Sequence, residues 1–137
     1  MKRLIIPCFA IALATFMSCT KEPSPISYRN LIPVNKCQSF DTTGELLTCC
    51  LDSVIQDSRC PIDAVCIWQG IAVARFTVSS KNENHVITLA TSNFATFKRD
   101  TTLAGFKMEF VNLEPPNSMS NQPKYSDYVA EVRITKP

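Results

Sequence analysis

The chain has little of what most catalytic sites are built from. Among 137 residues there are three glycines and one histidine. A phosphate-cradling loop needs several closely spaced glycines, so nucleotide-binding readings drop out. A Ser or Cys nucleophile needs a base within hydrogen-bond reach, most often His. The only candidate, His85, sits in the polar stretch KNENH (81–85) and reads as a solvated turn residue. No G-x-S-x-G and no H-E-x-x-H occurs. Two carboxylates for glycosyl transfer could be drawn from the acidic residues, but no pattern nominates a pair. Helical periodicity is also missing, with no convincing amphipathic run of period 3.6. The expectation is a protein that is not an enzyme, with no catalytic residue and no cofactor to name.

Charge of one sign is missing as well, once the ends are considered. Lys2 and Arg3 precede LIIPCFAIALATF (4–16), an apolar run too short to span a bilayer comfortably. It fits the hydrophobic region of a secretory signal over residues 1–18. Removing Lys2 and Arg3 with it leaves twelve basic and twelve acidic residues. Nothing in that balance suits a nucleic-acid partner. The run ends at FMSC (16–19), where Ser18 precedes Cys19. This resembles the lipobox of bacterial lipoproteins, although Phe16 and Met17 depart from the usual Leu and small residue. The resemblance implies that Cys19 becomes the acylated N-terminus, with membrane lipid as its partner. The address implied is the bacterial cell envelope, on the outer membrane, facing the periplasm or the surface. An ordinary cleaved signal or an uncleaved anchor are the rival readings. TKEPSPISYRNLIP (20–33) has three prolines and no alternation, so residues 19–34 read as a tether.

What is abundant is period-two alternation. DYVAEVRIT (127–135), GFKMEFVNL (105–113), HVITLAT (85–91), ELLTCCLD (45–52) and KCQSF (36–40) all read as strands. WQGIAVARFTV (68–78) puts Trp68, Ala72, Ala74, Phe76 and Val78 on one parity. Ile71 and Val73 on the other parity make its first half buried on both faces. The fold class expected over 35–137 is all-β: a small antiparallel β-sandwich, Greek-key-like, of six to seven strands. Two long segments remain as loops, SNFATFKRDTT (92–102) and EPPNSMSNQPKYS (114–126). The second holds three prolines, which rules out a central strand.

The densest stretch is DSRCPIDAVCIWQG (57–70). Cys-based zinc sites show pairs spaced by two to four residues. Here five residues separate Cys60 from Cys66 and no His is near, so no metal is expected. In an oxidising compartment they can close a short disulfide loop instead. Pro61 suits the turn that follows Cys60. Asp57 can accept backbone N–H groups, and Arg59 can pair with it. Gly70 permits a close backbone approach, and Trp68 is expected in the core as the largest apolar side chain. The stretch therefore reads as a structural clasp.

Asp57, Ser58, Arg59, Cys60, Pro61, Cys66, Trp68 and Gly70 also carry a resemblance. They match the signature D-S-R-C-P-x-x-V-x-C-x-W-x-G of a widespread group of small, largely uncharacterised bacterial lipoproteins. Val65 stands one place later than the group's valine. VNLEPP (111–116) and YVAEVRIT (128–135) look like its closing elements. The resemblance implies architecture and cellular address, and no chemistry.

Three further cysteines follow the signal and Cys19: Cys37, Cys49 and Cys50. Parity from Phe40 and Leu47 puts Cys37 and Cys50 on one outer surface, where they can pair, and Cys49 inside. A vicinal Cys49–Cys50 bond is the strained alternative. Two functions compete. One is an envelope binding or accessory module for a protein or glycan, with Phe94, Phe97, Lys98 and Arg99 as the candidate contact loop. The other is a thiol redox or soft-metal protein using Cys49 and Cys50.

Overall fold

The computed structural model describes residues 27–42, 44–81 and 83–136. The signal at 1–18 and the lipidation position Cys19 lie outside the described residues. Eight strands follow in order: β1 (Ser27–Pro33), β2 (Lys36–Thr42), β3 (Glu45–Asp57), β4 (Ala72–Ser80), β5 (Glu83–Ala90), β6 (Asp100–Leu103), β7 (Phe106–Glu114) and β8 (Val129–Thr135). They form two four-stranded antiparallel sheets, β1-β8-β7-β6 and β2-β3-β4-β5. The expected all-β sandwich is the fold, with more strands than the six to seven anticipated. Apart from β1 with β8, hydrogen-bonded neighbours are consecutive in the chain. The winding is thus a folded-over meander, simpler than a Greek key.

The core is the alternation made solid. Leu47, Cys49 and Leu51 of β3 meet Phe76 and Val78 of β4, and Phe106, Met108 and Phe110 of β7 with Val132 and Ile134 of β8 close the other side. Phe76 and Phe110 pack edge to face at 5.3 Å across the two sheets. Such pairs add roughly 0.5–1.5 kcal/mol beyond the area they bury. The start of β4 is covered on both faces, as Ile71 and Val73 imply. A second small cluster of Ile71, Val73 and Ala90 lies outside the main core, with Phe97 packed against it.

Two boundaries differ from the sequence reading. Residues 27–33, expected in the tether, pair with β8 from Ser27↔Thr135 to Pro33↔Val129. Ile32 and Val34 are buried in the core. The alternation there is short and interrupted by proline, so only the pairing partner reveals it. Asn35, at φ 60°, turns the chain from one sheet into the other. Its N–H donates to the Leu51 carbonyl at 2.8 Å. The second boundary is the start of β4, which lies at Ala72, four residues after Trp68. Trp68 is on a loop.

The ends of the sandwich are distinct. Asp57, Ala72, Glu114 and Val129 mark one end, where the loops 58–71 and 115–128 leave the sheets. Register shifts occur in β3 after Leu51 and Val54 and in β7 after Phe110, and such bulges bend a strand locally. The tight turns after Thr42, Ser80 and Leu103 mark the other end, together with Ser27 and Thr135.

Candidate functional site

The loop 58–71 is held by several sets of interactions, most of them from residues the sequence singles out. Cys60 and Cys66 are joined in a disulfide. Pro61 opens a turn inside it, its carbonyl accepting the Ala64 N–H at 3.1 Å. Asp57 and Arg59 form a two-point ion pair: Arg59 Nε donates to Oδ1 and Nη2 to Oδ2, each at 2.8 Å. Their side chains are only 7% and 14% exposed. The rest of the guanidinium reaches the cis-proline loop, donating to the Leu113 carbonyl and, at 2.9 Å, to the Pro115 carbonyl. Tyr128 completes the group with a hydroxyl donated to Asp57 Oδ2 at 3.1 Å. Burial alone pushes the Asp57 carboxyl up. The Arg59 charge, with hydrogen bonds from Arg59 and Tyr128, outweighs burial and holds it below the usual carboxylate range.

Asp63, which the sequence reading passed over, is the second clamp. It accepts N–H groups of Met119 at 2.8 Å and Ser120 at 3.0 Å, with hydroxyls of Ser118 and Ser120. Those two backbone donors, then the Ser120 and Ser118 hydroxyls, hold its carboxyl well below the ordinary range. The Ile62 N–H to Asn117 carbonyl bond, at 2.9 Å, runs beside it. Loops 58–71 and 115–128 are therefore fastened to each other at Arg59 and at Asp63.

Gly70 is the closure. It sits at φ +68°, and a Cβ there would stand 1.8 Å from the Ser58 carbonyl oxygen. The loop returns so close that Ser58 N–H bonds the Ile71 carbonyl at 2.9 Å and Cys60 N–H bonds the Gln69 carbonyl at 2.8 Å. No side chain fits between them.

The expectation for Trp68 is overturned. It is 54% exposed, with its ring 5.4 Å from that of Phe94, itself 50% exposed. Its shared parity with β4 is broken by the positive φ at Gly70, which ends the extended backbone between them. On the same loop Ile62 is exposed and Val65 and Ile67 fully so, and Met119 is exposed on the loop 115–128. The signal was present in the sequence: four large apolar residues inside a short loop that needs polar ones.

The candidate contact loop is also divided. Phe94 and Phe97 exchange backbone hydrogen bonds at 3.1 and 2.9 Å around a turn with Ala95 at φ 52°. The turn sends Phe97 against Ile71, Val73 and Ala90, while Phe94 goes to Trp68. Lys98 is exposed and contributes its backbone carbonyl to the Ala90 N–H at 2.8 Å. Arg99 lies 3.1 Å from Glu109, which also accepts from Arg133 at 2.8 Å. The four residues do not make one contact cluster.

Two open clefts flank the clasp. A polar one of about 400 Å³ is lined by Gln69, Ser92, Arg99, Asn112 and Asn117 among others. A second, about 390 Å³, is lined by Ile62, Pro115, Pro116, Pro123, Lys124 and Asp127 with neighbouring loop residues.

The remaining cysteines leave no reactive pair. Cys37 and Cys50 are directly opposite in the β2–β3 register and joined in a disulfide. Cys49 is free and fully buried, its thiol donating toward the Met108 sulfur at 3.9 Å. Burial first, and the nearby Asp52 charge second, push its pKa up to about 12. Among the described residues no three of His, Cys, Asp and Glu gather as metal ligands. Neither Cys49 nor Cys50 is therefore an exposed free thiol.

No family model, no curated protein and no solved structure matches this chain.

Proposed function

We propose that this chain is a non-enzymatic, lipid-anchored domain of the bacterial cell envelope that binds a partner through the apolar end of its sandwich. One observation carries the reading. Trp68 packs at a tilt against Phe94, each about half exposed, and shares with fully exposed Val65 and Ile67 a loop closed by a disulfide and fastened by Arg59 and Asp63. Exposed apolar groups on a rigid frame favour binding, because little side-chain or loop entropy remains to be lost on contact. Isolated apolar residues on a surface need no explanation, but a gathering of them at one place does. The anchor half of the proposal is supported by Lys2, Arg3, the run 4–16 and Cys19, and by the resemblance of residues 57–70 to lipoprotein sequences.

The test uses the full chain produced in a lipoprotein-processing bacterium. Wild type should enter the detergent phase with a diacylglyceryl adduct on Cys19, and Cys19→Ala should stay in the aqueous phase. Co-purification from native membranes is then compared between wild type and Ile67→Ser/Trp68→Ser at matched thermal stability. A binder that disappears with the double variant supports the reading. Unmodified Cys19 ends the anchor half, and identical co-purification by both proteins ends the binding half.

A further inference from the structure

We propose that the polar cleft beside the clasp binds an acidic sugar. One pyranose ring sits in it, with a carboxylate on Arg99 and hydroxyls on Gln69, Ser92, Asn112 and Asn117. The site goes beyond the apolar reading of this end, because Val65, Ile67 and Trp68 do not line it. Either can fail without the other.

The cleft is assembled from distant segments. Gln69 comes from the loop 58–71, Asn117 from the loop 115–128, Ser92 and Arg99 from the connection between β5 and β6, and Asn112 from β7. Two of its walls are tied together. Arg59 Nη2 donates to the Pro115 carbonyl at 2.9 Å, and Asn117 Nδ2 donates to the Arg59 carbonyl at 3.3 Å. The register shift after Phe110 interrupts the alternation of β7, and Val111 and Asn112 both line the cleft. A site already formed loses little ordering entropy on binding. Its volume of about 400 Å³ lies at the small end of ligand clefts, which run from about 300 to 1,000 Å³.

The unmatched groups of the cleft define the ligand. Arg99 is the unmatched cation. Its Nε is buried and lies 3.1 Å from Glu109 Oε1, out of line for a hydrogen bond. Arg133 already donates to Oε2 of the same carboxylate at 2.8 Å. Two guanidiniums thus share one carboxylate, and one positive charge is left over. Among the described residues no Asp or Glu lines the cleft to cancel it. Arg59, the other cation there, is matched by Asp57. A planar fork of N–H donors suits a carboxylate.

The neighbouring groups call for hydroxyls. Asn112 spends its Nδ2 on Glu114 at 2.7 Å and Asn117 spends its own on the Arg59 carbonyl. Each amide keeps an oxygen with no donor among the described residues. The Gln69 amide and the Ser92 hydroxyl make no hydrogen bond to the described residues, and each can both donate and accept. A phosphate or a bare carboxylate has acceptors only and leaves the two amide oxygens unmatched. Sugar hydroxyls donate and accept, and a ring holds several at fixed spacing. A peptide with a free carboxyl end supplies N–H donors too. Its side chains need apolar recesses, and this cleft has little beyond Val111 and Pro116 to give them.

The experiment is calorimetric titration of the full processed chain, held in nanodiscs, with the methyl glycosides of glucuronic, galacturonic and mannuronic acid. At least one should bind at millimolar concentration or below. Its neutral counterpart, with a hydroxymethyl group in place of the carboxylate, should bind at least tenfold more weakly. So should acetate, inorganic phosphate and acetyl-alanyl-alanine. Arg99→Gln should weaken the acidic sugar at least tenfold and bring it level with the neutral one. Gln69→Ala removes an exposed side chain that holds nothing in the fold, and should weaken both sugars at an unchanged urea midpoint. It keeps the test decisive if Arg99→Gln does not fold. No binding of any of the three acidic sugars overturns the proposal. Equal binding of phosphate or of the peptide overturns the sugar, and unchanged affinity in the variants overturns the site. None of these results bears on the apolar residues, whose own test is the Ile67→Ser/Trp68→Ser comparison.

Discussion

Replacing Gly70 by Ala should be among the most damaging single-methyl additions this protein can receive. Gly105 supplies the control, because the two glycines share a left-handed backbone and differ in their surroundings. Gly105 has φ +76° and nothing within 4 Å of an added Cβ. Its replacement costs only the backbone term, about 1 kcal/mol. Gly70 adds a collision: the Cβ would stand 1.8 Å from the Ser58 oxygen, and 2.7 Å from its carbon, both backbone atoms that cannot rotate away. Relief requires the two arms of the loop to part by more than 1 Å. That opens the Ser58 N–H to Ile71 and Cys60 N–H to Gln69 bonds, now 2.9 and 2.8 Å. Two backbone bonds contribute about 1 kcal/mol each. Arg59 follows Ser58 directly, so its charged bonds to the cis-proline loop loosen as well. The expected loss for Gly70→Ala is about 3 kcal/mol or more, at least 2 above Gly105→Ala. Urea unfolding of both variants, read by far-ultraviolet circular dichroism with matched m-values, measures the difference. A gap under about 1 kcal/mol would mean that the loop opens freely and that the clasp does not hold the end of the sandwich.

Trp68→Ala should cost only about 1–2 kcal/mol in the same assay, since half the indole is already in water and the ring contact with Phe94 is the main loss. The wild-type indole should emit at long wavelength and be quenched by iodide; a blue-shifted, protected tryptophan contradicts the exposed placement. Asp57→Asn should cost roughly 3–5 kcal/mol, because it leaves the Arg59 guanidinium buried without its counter-charge. Asp57 has a folded pKa held below its unfolded value, so its contribution is complete above about pH 4 and is lost as pH falls through the folded value. Wild type should therefore lose more stability at low pH than Asp57→Asn, in which Asp63 still titrates, and parallel pH profiles would contradict the ion pair. With Cys19 acylated, the unreduced protein should show no thiol reactive at pH 8 when native and one, Cys49, when unfolded; a rapidly reacting native thiol would show that Cys49 is accessible.

The strands were readable because a pleated chain with one wet face must alternate, and β3, β4, β7 and β8 do so over long runs. The same parity places Cys37 and Cys50 on the outer surface and Cys49 within, which is their arrangement. It fails at β1, whose Ile32 becomes core only because β8 lies beside it. It fails again at Trp68. Parity carries a side chain's direction only while the backbone stays extended, and the left-handed turn at Gly70 ends that.

The residue types at the clasp were legible, since an Asp, an Arg, a Pro and two Cys in so short a run have obvious local partners. Their distant partners were not: Leu113, Pro115, Met119 and Ser120 lie about fifty or more positions along the chain. Sequence determined by itself that the protein is an alternating β domain with its cysteines at positions that can pair. Tertiary structure alone decided that the clasp welds two loops at one end, and that Val65, Ile67 and Trp68 are left in water there. The physical reason is that hydrophobicity specifies what a side chain gains from burial, while only the meeting of distant segments decides whether anything arrives to bury it.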